Sequence, residues 1–243
     1  MMSVTWEEQM TIHPSDLASS QSFGNDSAIS GNYMIVGDKG NDGQGSNSGA
    51  AYIFKKGDSN ETWTQQQKLL SSDTAASGFF GGRVDIDGDY AVVGHGFEFG
   101  AAYVFKKNSD ETWSQTAKLY PSDEPETWTR YGFDVAISGS YIMVGESYDS
   151  QKVRIFKKDD DNETWHEHAR IRPSDWADGD FFGTQINMYD NYAVIGASSN
   201  NAAYIYKKDA NNTWHEEAKL VSTDASSGDK LGSSVSIYGD YAI

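Results

Sequence analysis

The sequence predicts an all-β fold, a propeller of five blades built from four antiparallel strands each. Three observations carry this. An aromatic residue or leucine followed by glycine recurs at Phe23-Gly24, Phe80-Gly81, Tyr131-Gly132, Phe182-Gly183 and Leu231-Gly232, in steps of 57, 51, 51 and 49 residues. A tryptophan recurs at Trp6, Trp63, Trp113, Trp165 and Trp214, in steps of 57, 50, 52 and 49, so two markers stay in phase along the whole chain. Each period holds four short apolar segments, and four strands in about 50 residues is the size of one blade. A lone blade cannot bury both faces, whereas a ring of stacked blades can.

The segments justify themselves in order. Segment a follows the glycine, as in SAIS or VDI. Segment b follows a turn built on SGN, DGD, SGS, YDN or YGD and reads YMIVG, YAVVG, YIMVG or YAVIG. Segment c reads AAYIFKK, AAYVFKK, VRIFKK or AAYIYKK. All three are rich in Val, Ile, Tyr and Phe and bounded by Gly, Asp, Asn and Ser, which is strand chemistry. Segment d starts at the tryptophan, as in TWTQQQKLL and TWHEHARIR. Its Gln, Glu and Ala suit a helix, but only about eight residues precede the next turn signal, which suits a strand better.

The chain opens on SVTWEEQMTIHPSD, a lone segment d, and closes on segments a and b alone. The expected organisation is one propeller over 1–243. Residues 1–22 are an outer strand, blades span about 23–78, 79–130, 131–180 and 181–230, and 231–243 supply two strands of a blade split between the termini. That blade lacks segment c, so its open edge is a candidate for homo-oligomerisation or scaffold assembly.

Composition narrows the function. There are no cysteines, which removes disulfides and thiolate metal sites. A net charge of −17 repels nucleic acid and anionic membranes. No apolar run is long enough for a membrane-spanning helix, and no signal peptide is legible at MMSVTWEEQM. The chain therefore reads as cytoplasmic or as an excerpt of a longer exported protein. No nucleophile elbow, HExxH or phosphate loop is present, so no enzymatic activity is expected.

The phrases FFGGRVDIDGDYAVVG, GSNSGAAYIFKK and SSVSIYGDYAI resemble the FG-GAP repeat, the family that includes the integrin α-subunit propeller. The resemblance covers essentially the whole chain. It implies a non-enzymatic, extracellular or cell-surface adhesion module that binds protein or carbohydrate, often with calcium. The integrin-type calcium loop DxDxDGxxD has no match here. Asp85, Asp87 and Asp89 in VDIDGDY imitate its start, but the turn is a tight hairpin, too short to wrap an ion that takes six to eight oxygens.

Several places remain as candidate sites. The long b–c loop GDKGNDGQGSNSGAAY offers Asp38, Asn41, Asp42 and Asn47 as oxygen ligands for calcium; the plain alternative is a flexible polar loop. Trp128, with Arg130 beside it, and Trp176 stand in d–a crossings without counterparts in other copies, and aromatic planes stack on sugars and peptides. His95 with Phe97, and Tyr148 in the equivalent loop of the next blade, form a second aromatic set, expected on the opposite rim. His166 and His168 flank Glu167 and should share a strand face, an incomplete zinc pair against a solvated one. The acidic c–d turns, densest at Asp159, Asp160, Asp161 and Glu163, read as solvated hairpins that discourage edge pairing. An aspartate closes segment d in every copy, at Asp16, Asp73, Asp123, Asp175 and Asp224, and should fix the crossing to the next blade by accepting backbone N–H groups. Sequons stand at Asn25, Asn60, Asn162 and Asn211. A lectin with several equivalent pockets is the alternative reading, distinguished by binding stoichiometry.

Overall fold

A computed structural model describes residues 7–18, 21–57, 62–73, 77–96, 100–123, 130–146, 152–224, 226 and 228–243. The strands are β1 (Phe23–Ser30), β2 (Tyr33–Asp38), β3 (Ala50–Lys56), β4 (Trp63–Leu69), β5 (Arg83–Asp87), β6 (Tyr90–His95), β7 (Ala101–Lys107), β8 (Trp113–Leu119), β9 (Tyr131–Ser138), β10 (Tyr141–Glu146), β11 (Val153–Lys158), β12 (Trp165–Ile171), β13 (Phe182–Tyr189), β14 (Tyr192–Ala197), β15 (Ala202–Lys208), β16 (Trp214–Val221), β17 (Ile237–Tyr238) and β18 (Tyr241–Ala242). They form four antiparallel sheets of four strands in chain order, plus the pair β17–β18. Segments a to d are thus strands, d included. The inner strands β1, β5, β9, β13 and β17 lie side by side in sequence.

The apolar cores lie between blades. One cluster joins Ile35, Ile53 and Leu69 of the first blade to Phe80, Val84 and Val93 of the second. Equivalent clusters join the second to the third and the third to the fourth. The repeat tryptophans contribute here. Trp113, Trp165 and Trp214 each meet, edge-on, a tyrosine of the preceding blade: Tyr33 at 5.7 Å, Tyr90 at 5.9 Å and Tyr141 at 6.0 Å.

The repeated glycines mark the closest approach of neighbouring blades. A Cβ on Gly37, Gly94, Gly145 or Gly196, each near the end of segment b, would stand 2.1, 2.5, 2.0 or 1.9 Å from the carbonyl oxygen of Gly81, Gly132, Gly183 or Gly232. Those partner glycines follow the repeat's aromatic residue or leucine and take φ of +79° to +86°, which L side chains rarely adopt. Both glycines of the motif are therefore dictated by one backbone contact, repeated at four interfaces.

Polar clamps complete each interface. In segment d a β-bulge follows the same position in every blade, where the register shifts between Ile53 and Phe54, Val104 and Phe105, Ile155 and Phe156, and Ile205 and Tyr206. The bulge breaks the expected alternation around Glu167. His168 is the extra residue and reaches Asn212 O at 2.8 Å, while His166 pairs with Asp159 at 3.1 Å, so the two histidines do not converge. The c–d turns are clamps as well as solvated hairpins: Glu111 bonds Lys55 at 2.6 Å and Tyr33 at 3.3 Å on the preceding blade, and Glu163 pairs with Lys106.

Asp16, Asp73, Asp123 and Asp175 do fix the crossings, but chiefly by accepting side-chain donors, while Asp224 accepts Ser222 Oγ of its own segment. Asp16 accepts from Tyr52 Oη at 2.8 Å and Lys68 at 2.6 Å, Asp73 from Tyr103 and Lys118 at 2.9 and 2.5 Å, and Asp175 from Tyr204 and Lys219 at 2.8 and 2.6 Å. The backbone bonds come one residue earlier and run the other way. The N–H groups of Ser15, Ser72, Ser122 and Ser174 donate to Gln65, Gln115, Glu167 and Glu216 on the next segment d.

The opening segment differs from its expected form. Its described residues, 7–18, form no strand. They still make the standard crossing contacts: Ile12 packs against the first blade, and Ser15 and Asp16 make the bonds just named.

Candidate functional site

The inner strands surround an axial space made of three adjoining cavities. The middle one, about 320 Å³, is walled by inner-strand side chains including Asp26, Arg83, Asp85 and Asp134. Its carboxylates tie neighbouring strands together. Asp26 accepts Val84 N at 2.9 Å, Asp85 accepts Ile137 N at 2.8 Å, Asp134 accepts Ile186 N at 2.6 Å, and Asn187 accepts Ile237 N at 2.8 Å. Burial pushes Asp85 up to about 7 and Asp134 up to about 8, and raises Asp26 too. Asp87 accepts Gly139 N at 2.7 Å. Asp85 and Asp87 are thus blade staples. The lower cavity, about 570 Å³, opens among the a–b turns and shares Asp85 and Asn187 with the middle one.

The upper cavity is different in character. It measures about 280 Å³ and is lined by Lys39, Phe79, Gly82, Arg83, Phe133 and glycines of the second and third blades. Arg83 forms the boundary with the middle cavity. Its Nε lies 3.3 Å from Asp134, its Nη1 donates to Gly82 O at 3.1 Å, and its guanidinium stands 6.0 Å from the Phe133 ring. Lys39 is exposed, and its ammonium has no carboxylate partner among the described residues. Phe79 holds a left-handed backbone, φ 51°, as do Arg130, Phe181 and Lys230 at the same place in their copies. The residue entering each blade after the first thus carries strain at the upper rim.

The family profile for the FG-GAP repeat matches residues 6–54, 63–105, 113–161, 165–210 and 214–243. The chain belongs to the FG-GAP repeat family. The first four matches run from the tryptophan through segments d, a, b and c, and the fifth covers d, a and b, so the family's unit joins the outer strand of one blade to strands of the next. Of curated protein sequences, none matches the chain. Among solved structures, a protein from Lactobacillus plantarum is similar with a TM-score of 0.55 at 14% identity, over 86% of this chain and 60% of that one. A candidate 6-phosphogluconolactonase from Bacteroides uniformis gives 0.59 at 10% identity, over 83% and 57%. One from Bacteroides fragilis gives 0.54 at 14%, over 78% and 52%. The chain therefore spans a little over half the length of these structures, and the likeness is one of fold.

Within this FG-GAP propeller the antiparallel strand order puts the d–a crossings and the b–c loops on one rim, not on opposite rims. Gly49 bridges to Phe80, and Phe79 N donates to Asn47 O at 3.0 Å. Of the residues singled out there, Trp128, Phe97 and Tyr148 lie outside the described residues. Arg130 is exposed on the upper rim. Trp176 is 37% exposed and carries the Arg172 guanidinium 4.6 Å above its ring. His95 turns inward, stacked on Tyr103 at 6.5 Å; burial, helped by the Lys118 charge, holds its pKa at about 4.

The long b–c loop of the first blade is internally braced. Asp38 and Asn41 are fully buried. Asp38 Oδ1 accepts Ser22 N at 2.8 Å, and Asn41 Oδ1 accepts Gly43 N at 3.0 Å and Lys68 Nζ at 2.9 Å. Asp42 Oδ1 accepts Asn47 N at 2.7 Å. Three of the four expected ligands, Asp38, Asn41 and Asp42, accept N–H donors, Asn47 supplies one of those N–H groups, and the cation beside Asn41 is the Lys68 ammonium. Among the described residues no three His, Asp or Glu side chains are grouped as metal ligands.

The upper cavity was missed in the sequence although its signal is legible there. FFGGR is the one copy with glycine then arginine after the motif glycine; the others read Asn25-Asp26, Phe133-Asp134, Thr184-Gln185 and Ser233-Ser234. Gly82 removes a side chain from the wall, and Arg83 brings the inner strands' sole cation at that place.

Proposed function

We propose that this chain is the binding module of an extracellular or cell-surface protein, without catalytic activity, and that it takes one partner at the upper mouth of its axial space. The observation that carries the reading is the cavity floored by Gly82 and Arg83. It joins two aromatic rings to two cations on a chain of net charge −17. Ligand sites combine apolar walls with a few convergent polar groups in this way, at volumes of roughly 300 Å³ and upward. Because Gly82 and Arg83 belong to one blade only, the site is single, which supports a module with one unique partner over a lectin with a pocket at each blade. The TM-score neighbours described as candidate lactonases share the fold at 10–14% identity and lend no catalytic residue to this chain.

The test is a glycan and peptide array probed with the labelled chain, once with calcium and once with chelator, beside the Gly82→Thr variant. Defined hits that vanish with Gly82→Thr are expected. Hits that survive it would move binding to the rim loops around Trp176. Loss in chelator would add a cation to the site.

A further inference from the structure

We infer that the upper cavity accepts a single sugar ring bearing a carboxylate, a hexuronate unit. This rests on the binding reading above and names its ligand class. Arg83 supplies the deeper contact. Its Nε and Nη1 are engaged by Asp134 and Gly82, at 3.3 and 3.1 Å, while Nη2 has no acceptor among the described residues. The two N–H groups of Nη2 are therefore left to donate to a carboxylate, and the Asp134 and Gly82 contacts hold the guanidinium plane in place for it. Lys39, without an acidic partner, adds a second positive charge at the entrance.

The rest of the ligand is set by the walls. Phe79 and Phe133 present rings, and the C–H faces of a pyranose stack on such rings. About 280 Å³ holds one ring and leaves no room for an extended peptide. Glycines at 82, 96 and 132 carry no side chains into the cavity; the Gly82 carbonyl is taken by Arg83 and Asn25, and backbone carbonyls at 96 and 132 can accept hydroxyl protons. Asp134 is the positioning residue. It holds Arg83 at Nε and is itself fixed by Ile186 N at 2.6 Å.

The fold supplies its own blocking variant. In the fourth blade Thr184 occupies the place of Gly82 and donates Oγ1 to Phe181 O at 2.9 Å; in the fifth, Ser233 donates to Lys230 O at 2.7 Å. A Cβ on Gly82 would lie 3.1 Å from the equivalent Phe79 O, so Gly82→Thr repeats a local structure the chain already holds while filling the cavity.

The experiment is titration calorimetry of the full chain with methyl β-D-glucuronide and, separately, methyl β-D-glucoside. Binding of the uronide at one site per chain is expected, with the glucoside at least about tenfold weaker, the worth of a charge-assisted hydrogen bond. Gly82→Thr should abolish the heat with the melting temperature kept. Lys39→Gln should weaken binding by about tenfold, and added salt should weaken the wild type more than Lys39→Gln. Equal binding of glucoside and uronide, lost in Gly82→Thr, overturns the ligand class and leaves the binding reading intact. No heat with either probe, together with array hits indifferent to Gly82→Thr, overturns both.

Discussion

Arg154 stands where three other blades carry Tyr52, Tyr103 and Tyr204, and replacing it with tyrosine tests how the third blade is held. Arg154 is 2% exposed and Glu146 0%. The guanidinium pairs with Glu146, with Glu167 at 3.0 Å and with Asp123 at 2.6 Å, and Arg170 and Lys152 complete the cluster. Arg154→Tyr can still donate to Asp123, as the other tyrosines do. It removes the Arg154 guanidinium from Glu146, beside which Lys152 stands at 3.9 Å. Breaking a buried pair from one side costs about 3–5 kcal/mol, and the residual Lys152 contact places the loss near 3 kcal/mol. At about 2–4 °C per kcal/mol for a chain of this size, the melting temperature should fall by about 6–12 °C. The double variant Arg154→Tyr with Glu146→Ala copies the fourth blade, where Ala197 accompanies Tyr204, and should return to within about 1 kcal/mol of wild type. Urea unfolding followed by tryptophan fluorescence measures both. A single variant as stable as wild type, or a double variant no better than the single, would refute the view that the arginine compensates a buried glutamate.

Tyr103→Phe removes one buried hydroxyl bond to Asp73 and should cost about 1 kcal/mol, with Tyr204→Phe adding independently; urea midpoints of the singles and the double check this. Gly145→Ala puts a methyl 2.0 Å from the Gly183 carbonyl and should cost several kcal/mol or prevent soluble expression, whereas Gly139→Ala meets no atom within 4 Å and pays only for its left-handed φ of 56°; expression and melting of the pair decide it. Asp85, raised to about 7, keeps its proton in the folded chain while the unfolded chain releases it near 4. Its contribution is full below pH 4 and lost as pH rises towards 7, so wild type should lose stability relative to Asp85→Asn over that range; parallel curves would sink the assignment. Asp175 runs the other way. Hydrogen bonds from Lys219 and Tyr204 hold it low, so its contribution is present above pH 4 and fades in more acid solution, and Asp175→Asn should lose that acid limb.

The sequence by itself determined the blade. Short runs rich in Val, Ile, Tyr and Phe, turn glycines and in-phase tryptophans are local signals, so segments a to d were legible as strands and the aromatic-glycine or leucine-glycine pairs as the repeat's fixed points. It also marked the recurring aspartates as structural. What it left open depends on contacts between residues about 50 apart. That Gly37 exists for Gly81 O, that Asp73 serves Tyr103 and Lys118, and that His95 faces inward follow from one blade lying on the next. The side-chain oxygens of Asp38, Asn41 and Asp42 looked free because a sequence lists oxygens and omits the N–H groups that reach them, among them the Asn47 N–H on Asp42. Gly82 and Arg83 passed unnoticed for the converse reason. A missing side chain and one cation become a cavity only when Lys39 from one blade and Phe133 from another are brought around them.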